Sequence, residues 1–320
     1  MHAIVARQSG GPEVLESAEV ERPTPGPGQL LVKVAATGVN FIETYQRGGM
    51  YKVTYPFTPG SEAAGTVEEV GEGVEGFAVG SRVATAEGQE CYAEYTVLDA
   101  AKALPVPDGV DLHTAAALPL QGMTAHYLIN SSFNVQPGHT VLVHAGAGGV
   151  GLLITQLLKI RGARVVTTVS TDEKEELSRA AGADEVLRYE GFADAVRELT
   201  NGVGVDVVYD GVGKDTFDGS LASLRPRGFL VLFGAASGAV PPVDPQRLNA
   251  GGSLSLTRPT LVHFLANPQE RLWRSSEIFG AVADGSLKVR IGATYPLAEA
   301  RRAHEDLEGR RTTGKILLVP

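Results

Sequence analysis

The 320 residues predict an α/β chain of two domains, one β-rich and one built on a doubly wound parallel sheet. Three observations carry this. Short β-like runs broken by Gly and Pro fill the first third, strand and helix alternate through the middle, and a glycine cluster, HAGAGGVG at 144–151, joins an apolar run to an amphipathic one. In order, residues 1–121 carry LLVKVAATGV, GTVEEV, SRVATA and AEYTVL, separated by turn-forming stretches such as RPTPGPGQ and PFTPGSEAAG. That is the texture of a twisted, mostly antiparallel β domain. Six candidate strands follow: TVLVHA, ARVVTTV, DEVLRY, VDVVYDGV, GFLVLFGA and SLSLTRP. Their continuous apolar character suits strands covered by helices on both faces, and so predicts the core of the second domain. Residues 261–284 read as helix. After Gly285 the β texture returns in LKVRIGATYPL, a short helix follows in AEARRAHEDLEGR, and the chain closes on the strand KILLVP. The expected division is 1–121 with 286–320, and 122–285 between them. No internal repeat or low-complexity tract is present.

Composition narrows the function classes. Hydrophobic residues make up 43% and charged residues 20%, as in an ordinary folded protein. With 28 basic and 37 acidic residues the net charge is −9, which argues against a large surface for nucleic acid or anionic membrane. The single cysteine, Cys91, rules out an intrachain disulfide and fits a reducing cytoplasm. The opening MHAIVARQSGGPEVL lacks the apolar core of a signal peptide, and no apolar run approaches the ~18 residues of a membrane span. A soluble, cytoplasmic protein is expected.

The glycine cluster has the G-x-G-x-x-G spacing, at Gly146, Gly148 and Gly151, with a strand before it and a helix after it. In such a loop Gly146 is expected to permit the tight turn. Gly148 leaves the backbone open to a pyrophosphate, and Gly151 lets helix and strand pack closely. Gly149 and Val150 then stand at the helix N-terminus, where free N–H groups and the positive dipole end favour phosphate. An NAD site normally ends its second strand on an acid that holds the ribose hydroxyls. Here the tip is Ser170, 19 residues after Gly151, and Lys174 follows four residues on. A small hydroxyl with a nearby ammonium suits the 2′-phosphate of NADPH. Asp172 would serve NADH if the loop turned differently, and Lys174 has the plainer reading of an exposed charge at a helix start.

In order along nearly the whole chain stand GGPEVL, GVNFIETYQRGG, GSEAAGTVEEVG, AAALPLQGMTAHYL, HAGAGGVG, VVYDGVG, LFGAASG and GKILLVP. This series resembles the zinc-free quinone oxidoreductases (zeta-crystallin-like) of the medium-chain dehydrogenase/reductase superfamily. The resemblance implies a GroES-like catalytic domain made from both chain ends, a Rossmann domain between them, and NADPH in the cleft. The superfamily's zinc-dependent members need a structural site of four cysteines and a catalytic site with Cys and His ligands. One cysteine excludes the first, while Asn40 and Ser61 stand where the second would have its Cys and His. The seven histidines (2, 113, 126, 139, 144, 263 and 304) show no ligand spacing, so no metal is expected.

The resemblance places Asn40, Tyr45 and Tyr51 at the substrate. Asn40 is expected to donate to a carbonyl oxygen, and the tyrosines to stack against a ring and offer hydroxyls; the alternative for each tyrosine is packing. Glu62 is expected to be structural. Thr124 maps near the nicotinamide, Tyr189 near the adenosine phosphates, and Phe233, Gly234 and Ser237 beyond a strand's C-terminal end. Arg310 is expected to reach the 2′-phosphate, with Arg311 as its competitor. The implied activity is zinc-independent reduction of quinones by NADPH, since a quinone accepts hydride without a Lewis acid. Reduction of other α,β-unsaturated carbonyls or enoyl thioesters is the alternative. A non-enzymatic crystallin-like or RNA-binding role fits less well with the net charge of −9 and the lack of basic–aromatic clusters. SLSLTRP at the sheet edge suggests pairing across a two-fold axis, hence a homodimer.

Overall fold

A computed structural model describes residues 1–320. In chain order the first strands are β1 (His2–Val5), β2 (Glu16–Glu19), β3 (Gln29–Val39), β4 (Ala63–Val70), β5 (Arg82–Thr85), β6 (Tyr95–Asp99) and β7 (Leu104–Pro105). Helix α1 (Phe41–Arg47) interrupts them, and α2 (Leu112–Ala117) and α3 (Pro119–Tyr127) follow. The middle of the chain alternates: β8 (Thr140–Val143), α4 (Gly149–Ile160), β9 (Arg164–Thr168), α5 (Asp172–Ala180), β10 (Glu185–Leu187) and α6 (Phe192–Leu199). Next come β11 (Val205–Asp210), α7 (Phe217–Ser223), β12 (Leu224–Leu232), α8 (Gln246–Ala250) and β13 (Ser255–Thr257). The chain closes with α9 (Leu261–Leu265), α10 (Pro268–Ala283), β14 (Ile291–Pro296), α11 (Ala300–Glu308) and β15 (Lys315–Val319). No helix is long and apolar enough to cross a membrane.

Two compact units result, residues 1–123 with 267–320, and residues 124–266. In the first, a mostly antiparallel sheet runs β14-β15-β3-β4-β5-β7, with β6 also on β3. Strand β3 is its spine: Ile316 to Leu318 of the C-terminal strand pair antiparallel with Val39 to Thr37. This is how both chain ends enter one unit. Leu30, Val32, Val67, Val83 and Leu98 fill one core; Ile4, Tyr92, Leu297, Ile316 and Leu318 fill another. Each such buried aliphatic side chain contributes about 1.5–3 kcal/mol.

The second unit holds six parallel strands in the order β10-β9-β8-β11-β12-β13, the six apolar runs read from the sequence. Counted from β8 this is 3-2-1-4-5-6, the doubly wound order, whose direction reverses between β8 and β11. Val141, Leu142, Val143, Val207 and Val208 are wholly buried, as strands covered on both faces require.

Helix α10 falls with the first unit, whereas the sequence texture assigns 267–285 to the second. The reason is polar as well as apolar. Arg271 ion-pairs Glu87 at 2.7 Å with little exposure, donates to the Ala101 carbonyl at 3.2 Å, and Ile278 packs beside Gly122. Helical periodicity locates the helix but does not say which sheet it covers.

Candidate active site

In the nucleotide-type unit the reversal of strand order brings the turn after β8 to the C-terminal edge of the sheet. The left-handed residue of that turn is Ala145 (φ 54°) rather than Gly146. Gly146 is required for closeness instead: a Cβ there would lie 2.6 Å from both Thr167 Cβ and Ser178 Oγ. Gly151 is likewise pressed against the turn itself, where a Cβ would sit 2.1 Å from the Ala145 carbonyl oxygen rather than against the sheet. Gly148 is the N-cap of α4, half-buried, its nearest would-be contact the Ala145 oxygen at 3.2 Å. Gly149 and Val150 open the helix beside it, half-buried, with backbone N–H groups that no preceding turn of helix can satisfy. A diphosphate has open backbone and a dipole end here, so the turn fits the group the sequence implied.

At the tip beyond β9, Ser170 is exposed and Lys174, in the first turn of α5, donates to its hydroxyl at 3.3 Å. Asp172, the competing acid, is engaged by Arg188 at 2.5 Å, and Arg188 also pairs Glu175 at 2.9 Å. Tyr189 lies over the glycine turn: its hydroxyl accepts from the Ala145 N–H at 3.2 Å and its ring stacks on His144. The turn is braced from below. Ser220 donates to Asp210 at 2.8 Å and is 2.9 Å from His144 Nε2, while His144 Nδ1 is 2.8 Å from the Thr168 hydroxyl. Because the Ser220 hydrogen points to Asp210, His144 donates from Nε2 and accepts at Nδ1, the neutral tautomer. Burial accordingly pushes its pKa down to about 4, against the opposing pull of Asp210. Beyond β12, Phe233 packs its ring on Gly211, and Gly234 approaches the Gly211 carbonyl so closely that a Cβ would be 2.4 Å from it. The Ser237 hydroxyl donates to the Val212 carbonyl at 2.8 Å and accepts from the Asp215 N–H at 3.0 Å, so it secures this turn. Thr124 is buried on α3.

In the other unit Asn40 caps α1 and is 5% exposed. Its amide N–H groups go to Glu62 Oε2 at 3.0 Å and the Gly38 carbonyl at 3.3 Å, and its oxygen accepts from Lys315 at 2.6 Å. The expected donor to a substrate is thereby turned inward, because a buried Glu62–Lys315 ion pair needs its remaining lone pairs and protons satisfied. Glu62 also accepts from the Leu120 N–H at 2.8 Å, anchoring the start of α3, so its structural role holds. Tyr45 on α1 and Tyr51 after the following turn meet edge to face at 5.8 Å, Tyr51 with 44% exposure. Arg310 is exposed at a left-handed position (φ 55°) just past α11. Arg311 is held by Asp306 at 2.7 Å and by the Glu305 carbonyl. No three His, Cys, Asp or Glu side chains gather in a way that would hold a metal.

One site residue escaped the sequence reading. Glu43 is wholly buried, accepts the Asn40 N–H at 2.7 Å, and its other oxygen accepts from the Ser61 hydroxyl at 3.1 Å and N–H at 3.2 Å. Burial raises its pKa from 4.5 to about 7, against the pull of Lys315 and these hydrogen bonds. The spacing Asn40-x-x-Glu43, that of a capping box, was the available signal. Ser61 in turn lines a cavity of about 260 Å³ within this unit, together with Gln46, Phe57, Thr58, Gly60, Gly88, Gln89 and Glu90.

The β-rich unit and the doubly wound sheet together define a two-domain dehydrogenase/reductase. Residues 26–108 match the alcohol dehydrogenase GroES-like domain and residues 149–272 the zinc-binding dehydrogenase family. The chain is 45% identical over 315 residues to the quinone oxidoreductase of Pseudomonas aeruginosa, covering 97% of each, and 43% identical to a 2-haloacrylate reductase of Burkholderia sp, covering 99% of this chain and 98% of that one. A mycobacterial protein solved in complex with NADPH superposes over the whole of both chains with a TM-score of 0.98 and 54% identity. The chain belongs to the quinone oxidoreductase family of the medium-chain dehydrogenases/reductases.

Proposed function

We propose that this protein is an NADPH-dependent quinone oxidoreductase working without zinc. The observation that carries the cofactor is the pairing of Lys174 with Ser170 at the tip beyond β9, next to a glycine turn shaped for a diphosphate. Gly146, Gly148, Gly149, Val150 and Gly151 form the diphosphate cradle, with Tyr189 over it. Ser170, Lys174 and Arg310 take the 2′-phosphate, with Arg311 as the competitor of Arg310. Thr124, Phe233, Gly234 and Ser237 shape the nicotinamide end, Ser237 through the turn it secures. Bound NADPH supplies a hydride. Tyr45 and Tyr51 provide ring faces and hydroxyls for a flat conjugated acceptor, and Asn40 positions α1, which carries Tyr45, through its link to Glu62 and Lys315. NADPH oxidation followed with 1,4-benzoquinone, 1,2-naphthoquinone and a 2-alkenal tests the reading. Brisk quinone turnover is expected, and alkenal turnover without any quinone turnover would overturn it. The second reading, reduction of a conjugated carbonyl other than a quinone, is favoured by the 2-haloacrylate reductase relative. We propose further that the protein acts in the cytoplasm and is a homodimer, because β13 ends its sheet with one edge unpaired.

A further inference from the structure

We propose that Ser61 and Glu43 form a proton relay that protonates the oxygen of the reduced acceptor from the cavity beside α1. This rests on the quinone-reductase reading, because the relay answers a need of that reaction. Hydride addition to a quinone leaves a hydroquinone anion, which must gain one proton to become the hydroquinone.

The cavity of about 260 Å³ is large enough for one ring, and Phe57 offers it an apolar face. Gln46 of α1 lines the same space while Tyr45 and Tyr51 do not, so the relay takes only the oxygen end of the acceptor into this cavity. Ser61 is the lining residue whose hydroxyl touches a wholly buried carboxyl group, Glu43, at 3.1 Å. The second Glu43 oxygen is occupied by the Asn40 N–H, so Glu43 reaches the cavity through Ser61 alone. Other ionisable groups around it are committed or inert. Lys315 and Glu62 are ion-paired with each other, burial pushes the Cys91 thiol up to about 12, and the Tyr92 hydroxyl is raised well above its usual value. Glu90, at the cavity wall, is exposed. Burial also holds Glu43 near neutrality, at about 7, where a carboxyl group can both give and regain a proton.

The step balances. The Ser61 O–H bond breaks as its proton passes to the hydroquinone oxygen. With Glu43 protonated, the Ser61 hydroxyl turns its hydrogen from Glu43 to the acceptor and its oxygen takes the Glu43 carboxyl proton in the same movement; the Glu43 carboxylate then recovers a proton from water by way of Ser61 before the next turnover. No electrons move in the relay. Ser61 is the catalytic residue and Glu43 the group acting through it.

The test compares wild type with Glu43→Gln, Ser61→Ala and Ser61→Thr, using 1,4-benzoquinone at saturating NADPH between pH 5.5 and 8.5. Wild-type kcat should fall as pH rises through about 7. Glu43→Gln and Ser61→Ala should lower kcat at pH 6 by about tenfold or more and flatten the profile, and Ser61→Thr, which keeps the hydroxyl, should restore the slope. Infrared titration of the cofactor-free protein supplies a readout apart from activity: a carboxyl C=O band should titrate near neutrality and vanish in Glu43→Gln. Should that variant fail to fold, Ser61→Ala and the wild-type infrared titration still decide. A flat wild-type profile, a Ser61→Ala profile matching wild type, or no carboxyl band titrating near neutrality overturns the relay. A wild type that oxidises no NADPH with quinone would instead overturn the functional reading beneath it.

Discussion

The Asn40 amide has two N–H donors and an acceptor oxygen, and the fold uses all three on Gly38, Glu62 and Lys315. A residue placed beside a substrate by its motif thus becomes the linchpin of a buried charge cluster. Lys315→Met would strand the Glu62 carboxylate without its counter-charge, and should cost about 3–5 kcal/mol in urea denaturation. Replacing both partners by apolar groups should cost less, since the desolvation of two ions disappears with them. At the nucleotide site the corresponding single-residue changes are Ser170→Asp and Arg310→Ala. The first places a carboxylate where the 2′-phosphate would lie, and calorimetry should show NADPH weakened relative to NADH. If Arg310 meets the 2′-phosphate as proposed, the second should weaken NADPH binding by about 1.5–3 kcal/mol. Unchanged NADPH affinity in Arg310→Ala would transfer the role to Lys174 or Arg311.

At the scale of elements, the turn from β8 into α4 is set by closeness more than by glycine flexibility. Ala145 carries the left-handed conformation, while Gly146 and Gly151 let backbone and neighbouring side chains touch. Gly151→Ala drives a methyl group onto the Ala145 carbonyl, so the first turn of α4 must shift. The expected loss is about 1–3 kcal/mol of stability, together with weaker NADPH binding, read by denaturation and calorimetry respectively. The strands and helices themselves were legible because their signal is local. Six apolar runs became six parallel strands, and the amphipathic run after the glycines became α4. The domain membership of α10 was not legible, because it depends on Glu87 and Ala101, more than 165 residues away along the chain.

The whole molecule has a proton linkage that its buried histidines dictate. Arg47 donates to His304 Nδ1, and His304 Nε2 donates to the Tyr92 hydroxyl, so the ring is neutral. Burial and then Arg47 push its pKa down to about 3, and burial holds His144 at about 4. Unfolded histidines titrate near 6.5, so below that pH the unfolded chain binds protons the native state refuses, and stability falls with pH towards about 4. Glu43 acts in the opposite sense: raised from 4.5 to about 7, it stays protonated in the native state where the unfolded chain has lost the proton, so its contribution declines as pH rises across that window. Two histidines outweigh one glutamate between 4.5 and 6.5, and above 6.5 only Glu43 remains. Urea denaturation across pH 4.5–8 should show a maximum near 6.5, and a steady rise through pH 8 would contradict the assignment. At the same scale, sedimentation should detect a dimer, and a proline in β13, at Leu256, should weaken it if that edge pairs across a two-fold axis.

By itself the sequence determined the class of fold, the six strands of the parallel sheet, most strands of the β-rich unit, the glycine turn at the start of α4, and the family. All of these are written in short windows, where hydrophobic period, turn chemistry and motif spacing act over a few residues to a few tens. Only the tertiary structure decided which polar groups meet in the interior. Lys315 reaches Glu62 across 253 residues, and Arg47 reaches His304 across 257. Those meetings follow from β15 returning to pair with β3, a long-range register that no local pattern encodes. Burial then changed the chemistry of the groups it enclosed, turning Asn40 inward and Glu43 into a carboxyl group that titrates near neutrality.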